Sequence, residues 1–194
     1  MVRNRDEPVR LTTIYTRGGD GGETSLGDGS RVSKLDGLVR GFGAVDELNS
    51  LLGWAQVEAR DPRLERIQNE LFDLGADLSV PYVEGDGKLR IAQPLIERLE
   101  LDCDEVNDGL AELMSFVLPG GNETAARLHI ARAVCRRVEL EVLEIARTRP
   151  VNPLASVYLN RLSDLLFILA RAANAGAEPL WKPGGSRSGD SETS

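Results

Sequence analysis

Apolar residues recur at three- and four-residue spacing along most of this chain, and they divide it into helical stretches. Phe42, Val45, Leu48 and Leu52 form the first stripe, on a helix predicted to run to about Arg60, where Asp61-Pro62 ends it and opens the next. The second stripe, Leu64, Ile67, Leu71, Leu74 and Leu78, should stop near Ser79, because Pro81 disfavours helical backbone just before it. Leu95, Leu99, Cys103, Val106, Leu110 and Leu113 predict a third helix, with Gln93-Pro94 near its start and Gly109 weakening its last turns. Asn122 is a candidate N-cap for the fourth and longest, whose stripe of Ile130, Val134, Val138, Val142 and Ile145 reaches about Arg147. A fifth opens at Asn152-Pro153, carries Val157, Leu162, Leu165, Leu166 and Leu169, and ends around Ala173.

Helices joined by short connections, with no strand series between them, predict an all-α fold. The expected form is a five-helix antiparallel bundle, up-down and ferritin-like in outline. Such a bundle stands roughly 30 Å tall, so functional groups must gather at one end or at an interface. The bundle takes residues 41–175. Ahead of it, 1–40 lack sustained periodicity and are rich in Gly, Ser, Thr and Asp, which predicts an extended ordered-loop arm or a flexible tail. Behind it, 176–194 form a tail whose Gly/Ser-rich end is expected to be disordered. Between the third and fourth helices, Phe116-Val117-Leu118-Pro119-Gly120-Gly121 is an apolar loop closed by breakers.

Composition narrows the class of protein. A chain of 194 residues, 41% hydrophobic and 28% charged, is long enough for one domain with a full core. Its net charge of -8 opposes non-specific attraction to a nucleic-acid backbone. The strongest apolar run, Leu165 to Ala170, is too short to span a bilayer, and Met1 to Pro8 has no apolar core to serve as a signal peptide, so the expected compartment is the cytoplasm. Cys103 and Cys135 do not make a disulfide framework and are expected to be buried and reduced. Against this acidic background the arginines between Arg127 and Glu139 are a local concentration of positive charge.

Two stretches carry candidate chemistry, and each has a plainer alternative. The run from Thr16 through Arg17, Gly18, Gly19, Asp20, Gly21, Gly22 and Glu23 to Thr24 lacks the Gly-Lys-Ser/Thr of a Walker A loop and the strand–helix setting of a dinucleotide fingerprint. It is either a simple turn or a phosphate cradle, in which bare amides, the hydroxyls of Thr16, Thr24 and Ser25 and the Arg17 guanidinium act together. Lys34 and Asp36, taken alone, read as solvated charges. Arg132 and Arg136 lie one turn apart on one helix face, with Arg137 and Glu139 displaced around it. Both fan into solvent or pair with acids, or an anion neutralises them. Asn160 offers an amide to a base, a ribose or a backbone group. His129, the one histidine, excludes a di-metal bundle site, and no metal-ligand set is predicted. It is either a structural side chain or, as a weaker reading, a phosphoryl acceptor beside Arg132. Phe116 either caps the core or projects into a pocket, where all it can do is fill space and exclude water.

Taken together, these residues resemble the PduO-type ATP:cob(I)alamin adenosyltransferases over nearly the whole chain, from Ile14 to about Trp181. The likeness rests on Tyr15-Thr16-Arg17 with Gly19-Asp20 and Gly22-Glu23-Thr24, on Ser33-Lys34 and Asp36, and on Val45-Asp46-Glu47-Leu48-Asn49-Ser50. It continues through Gln68-Asn69-Glu70-Leu71-Phe72-Asp73-Leu74-Gly75, the Phe116 to Gly121 loop, Ala131-Arg132, Cys135-Arg136-Arg137 and Leu159-Asn160-Arg161-Leu162-Ser163-Asp164. The resemblance implies a homotrimer in which ATP and the corrinoid meet at each subunit interface. The reduced cobalt attacks the 5′ carbon of ATP and triphosphate leaves. No general base is needed, only placement and stabilisation of the departing charge.

By the same resemblance Thr16, Arg17, Gly18, Gly19, Thr24, Ser25 and Lys34 form an N-terminal nucleotide-binding arm, and Arg136, Arg137, Glu139 and Asn160 complete the ATP site. Asp36 pairs with Arg132 of a neighbouring subunit, Phe116 displaces the corrinoid's lower ligand, and Phe167 lines the corrinoid pocket. Mg²⁺ bridges the triphosphate. A cobalamin reductase and an adenosylcobalamin-dependent mutase are the implied partners, and the mutase raises the alternative of a carrier role. Two departures stand out. Gly18 replaces a usual threonine, a loss worth roughly 1 kcal/mol for one neutral hydrogen bond, and residues 37–42 lack the Arg-Val-Glu-Ala-Tyr pattern common before the first helix.

Overall fold

The computed structural model describes Tyr15 and residues 17–184; the remaining positions, Thr16 among them, lie outside the described residues. Five helices make up its body: α1 (Gly37–Ala59), α2 (Pro62–Leu78), α3 (Gln93–Asn107), α4 (Glu123–Ala146) and α5 (Pro153–Asn174). Four of them start on an aspartate or asparagine, Asp36, Asp61, Asn122 and Asn152, whose side-chain oxygen accepts a backbone N–H of the first turn. Each such cap stabilises its helix by about 1 kcal/mol.

α4 lies between α1 and α5. α2 covers the other side of α1, and α3 lies against α5. Cross-helix contacts fix the directions. Asn49 bonds Gln68 and Trp54 bonds Arg127, so α1 is antiparallel to α2 and α4. Asn122 meets Asn174 and the thiol of Cys135 meets the carbonyl of Leu159, so α4 is antiparallel to α5. α3 and α5, two apart in the expected up-down alternation, are neighbours that point the same way. Glu100 bonds Arg161 and Ala111 bonds Arg171, so α3 runs alongside α5 in the same direction. Arg66 ties α2 to α3 through Asp102 and also bonds Glu70, which accepts from the buried hydroxyl of Tyr158 at 2.7 Å.

Several boundaries and stripes differ from the sequence reading. α1 begins at Gly37 rather than near Phe42, because Asp36 caps it and Gly41 brings it against Ile145 of α4; a Cβ at Gly41 would sit 2.7 Å from that side chain. α3 ends at Asn107, leaving Leu110 and Leu113 outside it. Ile130 and Val157 are 45% and 41% exposed; on α4 the expected Val138, Val142 and Ile145 are buried, and Ala125, Leu128, Ala131 and Cys135 continue that line in place of Ile130. Small residues there let α1 and α5 approach closely. Cys135 is buried as expected, whereas Cys103 is only half-buried; both are free thiols.

The arm ahead of α1 is not featureless. β1 (Glu23–Ser25) and β2 (Arg31–Ser33) pair antiparallel as a small hairpin, with Thr24 opposite Val32. Leu26 at its turn is buried with Leu38 and Ile145, and the N–H of Gly27 bonds the carbonyl of Ser79 at 2.9 Å. The hairpin is therefore moored where α1 starts and α2 and α4 finish. α5 is long and apolar enough, by length and composition alone, to cross a membrane. Half of its most apolar window is buried inside the bundle, as in the core helix of a packed domain.

Candidate active site

At the arm, successive turns are closed by Asp20 N–H on the carbonyl of Arg17 and Gly22 N–H on that of Gly19, both at 3.2 Å. Arg17 adopts φ 58°, a left-handed conformation costly for a side-chain-bearing residue. Its guanidinium lies 6.0 Å from the ring of Tyr15. The Lys34 ammonium rests against Gly19, where an added Cβ would meet it at 3.0 Å. Arg31 donates to the carbonyl of Gly18 at 2.9 Å. Gly18, Gly19, Lys34, Thr24 and Ser25 thus lie on one short looped hairpin with exposed glycine backbone on one side. Such a surface presents amides, an ammonium and hydroxyls to an anion. Thr16 lies outside the described residues.

Asp36 stands where the arm enters the bundle. One carboxylate oxygen accepts the Leu38 N–H at 3.0 Å and the other pairs with Arg149 just beyond α4. Arg132 lies elsewhere on α4, about 21 Å along the helix axis from its C-terminal end at 1.5 Å per residue. Within one chain these two residues do not meet.

Along the outer side of α4, Arg136 is exposed, Arg137 pairs with Glu47 of α1, and Glu139 accepts from the Asn160 amide at 3.2 Å. The structure therefore places Asn160 and Glu139 together, whereas Arg137 is engaged with α1.

Further toward the start of α4, Leu113, Met114, Ser115, Phe116, Val117, His129, Arg132 and Phe167 surround a cavity of about 600 Å³. Phe116 is 77% exposed, an unusual position for a phenylalanine on a hydrogen-bonded loop. The loop is held on both sides. Trp181 N–H donates to the Phe116 carbonyl and Leu118 N–H to that of Pro179, each at 2.8 Å, and the Trp181 ring meets Phe116 edge-on at 5.9 Å. Gly121 has φ 99° because Asn174 fills the space a side chain would need. The Asn174 oxygen accepts from Asn122 N–H and its amide donates to the Gly120 carbonyl, both at 3.0 Å. His129 faces Phe167 at 6.2 Å between ring centres. Burial first, and the charge of Arg132 second, push its pKa below the ordinary histidine value, so the ring is neutral.

Phe116, Arg132 and Phe167, picked out from the sequence, do share one cavity. The contributions of Trp181, Asn174 and Met114 were not read from sequence. Only the proximity of Trp181 to the end of the family-like region hinted at any of them. His129, either structural or a phosphoryl acceptor by sequence, lines the same cavity and is 3% exposed.

A small, looped, phosphate-suited arm at one end and an aromatic cavity with a half-buried arginine toward the other fit a helical-bundle enzyme for two dissimilar substrates. Residues 14–173 match the cobalamin adenosyltransferase family model. The corrinoid adenosyltransferase of Mycobacterium tuberculosis is 50% identical over 188 residues, covering 92% of this chain and 97% of its own. The corrinoid adenosyltransferase PduO of Salmonella typhimurium is 41% identical over 169 residues, 84% of this chain and 50% of its own. A variant PduO-type ATP:corrinoid adenosyltransferase from Lactobacillus reuteri, solved with cobalamin and ATP, superposes with a TM-score of 0.80 at 33% identity, covering 88% of this chain and 99% of that one. The chain belongs to the cobalamin adenosyltransferase family, in its PduO-type branch.

Proposed function

We propose that the chain transfers the 5′-deoxyadenosyl group of ATP to the cobalt of a reduced corrinoid, releasing triphosphate and forming adenosylcobalamin. The observation that carries this reading is the exposed Phe116 ring at a largely apolar cavity that also holds half-buried Arg132 and Phe167. The pair of electrons comes from cobalt as the bond from the 5′ carbon to the triphosphate oxygen breaks, so the protein has no proton to move at the reacting carbon. Its contribution is placement and charge. Arg17, Lys34 and the glycine amides of the arm, with Thr16, Thr24 and Ser25, hold the phosphates. Arg136, Arg137, Glu139 and Asn160 complete the nucleotide site, which requires Arg137 to turn from Glu47. Phe116 occupies the lower face of the corrin and keeps water and the lower ligand off cobalt, with Phe167 behind it.

The catalytic assignment of Asp36 and Arg132 rests on their separation. In one chain the arm and the aromatic cavity lie at different levels of the bundle, so a complete site forms where the arm of one subunit meets the cavity of the next. Asp36 then faces Arg132 across that seam, in place of or alongside Arg149. Exposed Leu140 and Leu143 on α4 offer apolar surface for such a contact, and a homotrimer is the assembly we assign.

Mg²⁺ bridges the triphosphate in this reading, held mainly by phosphate oxygens. A reductase delivering the electron to Co(II) and a mutase receiving the product are the corresponding partners. The free thiols fit a reducing compartment, the cytoplasm. Incubation with ATP and chemically reduced cobalamin should yield a light-sensitive alkylcobalamin and one triphosphate per turnover. Binding of both substrates without either product would overturn the reading.

A further inference from the structure

His129 is a buried polar side chain with no task in the mechanism above. Its ring is 3% exposed, and neither nitrogen has a hydrogen-bonding partner among the described residues. An unpaired buried polar group costs about 1–3 kcal/mol, and its persistence in a fold calls for a partner in the working complex. About one turn further along α4, the Nε of Arg132 is in the same condition. Residues three apart share a helix face, and both side chains line the cavity beneath Phe116. The rest of that lining is apolar except Ser115, whose hydroxyl is already given to the Trp181 carbonyl at 2.8 Å. Two unsatisfied polar groups thus lie in the wall of an otherwise greasy chamber.

The chemistry of those two groups selects what satisfies them. A neutral imidazole presents one N–H donor and one bare acceptor nitrogen, and the arginine Nε adds a second donor. A carboxylate, which only accepts, would be drawn to the Arg132 charge but would leave the bare imidazole nitrogen unpaired. An ammonium would be repelled by Arg132. A primary carboxamide supplies both an accepting oxygen and donating N–H groups, and the rim of cobalamin is fringed with carboxamides. We infer that His129, with the Nε of Arg132 beside it, reads one carboxamide on the corrinoid rim and so selects the amidated substrate over its carboxylate counterparts. This rests on the corrinoid occupying the Phe116 cavity, as proposed above.

The test compares corrinoid affinity, and KM for ATP, in the wild type, His129→Leu and His129→Gln. The probes are cobalamin and a panel of cobalamin monocarboxylates, in each of which a different rim amide has been hydrolysed. The wild type should bind one monocarboxylate at least about tenfold more weakly than cobalamin, the cost of one unpaired buried group. His129→Leu should bind cobalamin about tenfold more weakly and lose that preference while KM for ATP stays unchanged. His129→Gln, which keeps a donor and an acceptor, should retain the preference. A wild type indifferent to every amide, a leucine variant that still discriminates, or an equal shift in KM for ATP would each overturn the inference. Turnover without amide preference sinks the role of His129 alone; failure to bind or adenosylate cobalamin removes the function and the inference together.

Discussion

Phe116 shows how a single side chain can be costly to the fold and useful to the reaction. Leaving a phenylalanine ring in water forfeits about 1.5–3 kcal/mol of burial, so its exposed position implies that something else covers it in use. Phe116→Ala should lower turnover that starts from Co(II) at least about tenfold more than turnover from pre-reduced Co(I), because only the first needs the lower ligand removed. Parallel assays of the two starting states decide this, and equal losses would exclude ligand displacement. Phe116 could be singled out from sequence because an apolar loop ending in Pro-Gly-Gly is conspicuous. His129 could not. A lone histidine on a helix is usually structural, and only the orphaned nitrogens and the cavity beside them separate the two cases. Trp181 touches Phe116 across a long stretch of chain, a contact no local pattern encodes.

At the scale of elements, the turn before α4 sets the height of the Phe116 loop. Gly121 holds φ 99°, and a Cβ there would lie 2.1 Å from the Asn174 oxygen, so even a methyl must displace the amide that bonds both Gly120 and Asn122. Gly121→Ala is therefore expected to lower stability by about 1–3 kcal/mol and to raise KM for the corrinoid more than for ATP, as thermal melts and steady-state kinetics would reveal. An unchanged melting temperature would contradict the clamp. Periodicity found α2 almost to the residue because its stripe is continuous and proline-capped. It placed the start of α1 too late because Gly37, Arg40, Gly41 and Gly43 break the apolar rhythm. The glycine at 41 is needed for contact with α4, so the feature that tightens the fold hides the helix from its pattern. On α4, large Ile130 suggested a buried position, but alanines and Cys135 take it, since a helix wedged between two others has room for small side chains only.

In the proposed function the molecule divides its chemistry between the arm at one end of the bundle and a cavity at a different level of it. If each site joins the arm of one subunit to the cavity of another, two defective chains can repair each other. Lys34→Ala carries a damaged arm and Arg132→Ala a damaged cavity, each inactive alone. Co-expressed in equal amounts and assembled at random, they should regain about a quarter of wild-type activity, because one site in four receives both intact halves. Sites contained in one chain would show no recovery. The bundle itself was legible from helix count and loop length, and acidity with a local arginine cluster pointed to a small anion. The division of the site between levels was not, because the mooring of the hairpin by Leu26 and Gly27 depends on contacts with residues far along the chain.

The edge-on seat of Trp181 against Phe116 has an optical corollary. The chain has two tryptophans, and Trp54 is stacked under Arg127 on the far side of α4. With Trp54 exchanged for phenylalanine, a lone emitter remains at the mouth of the chamber. Its glow dims when a coloured macrocycle settles beside it, so the enzyme carries its own gauge of loading.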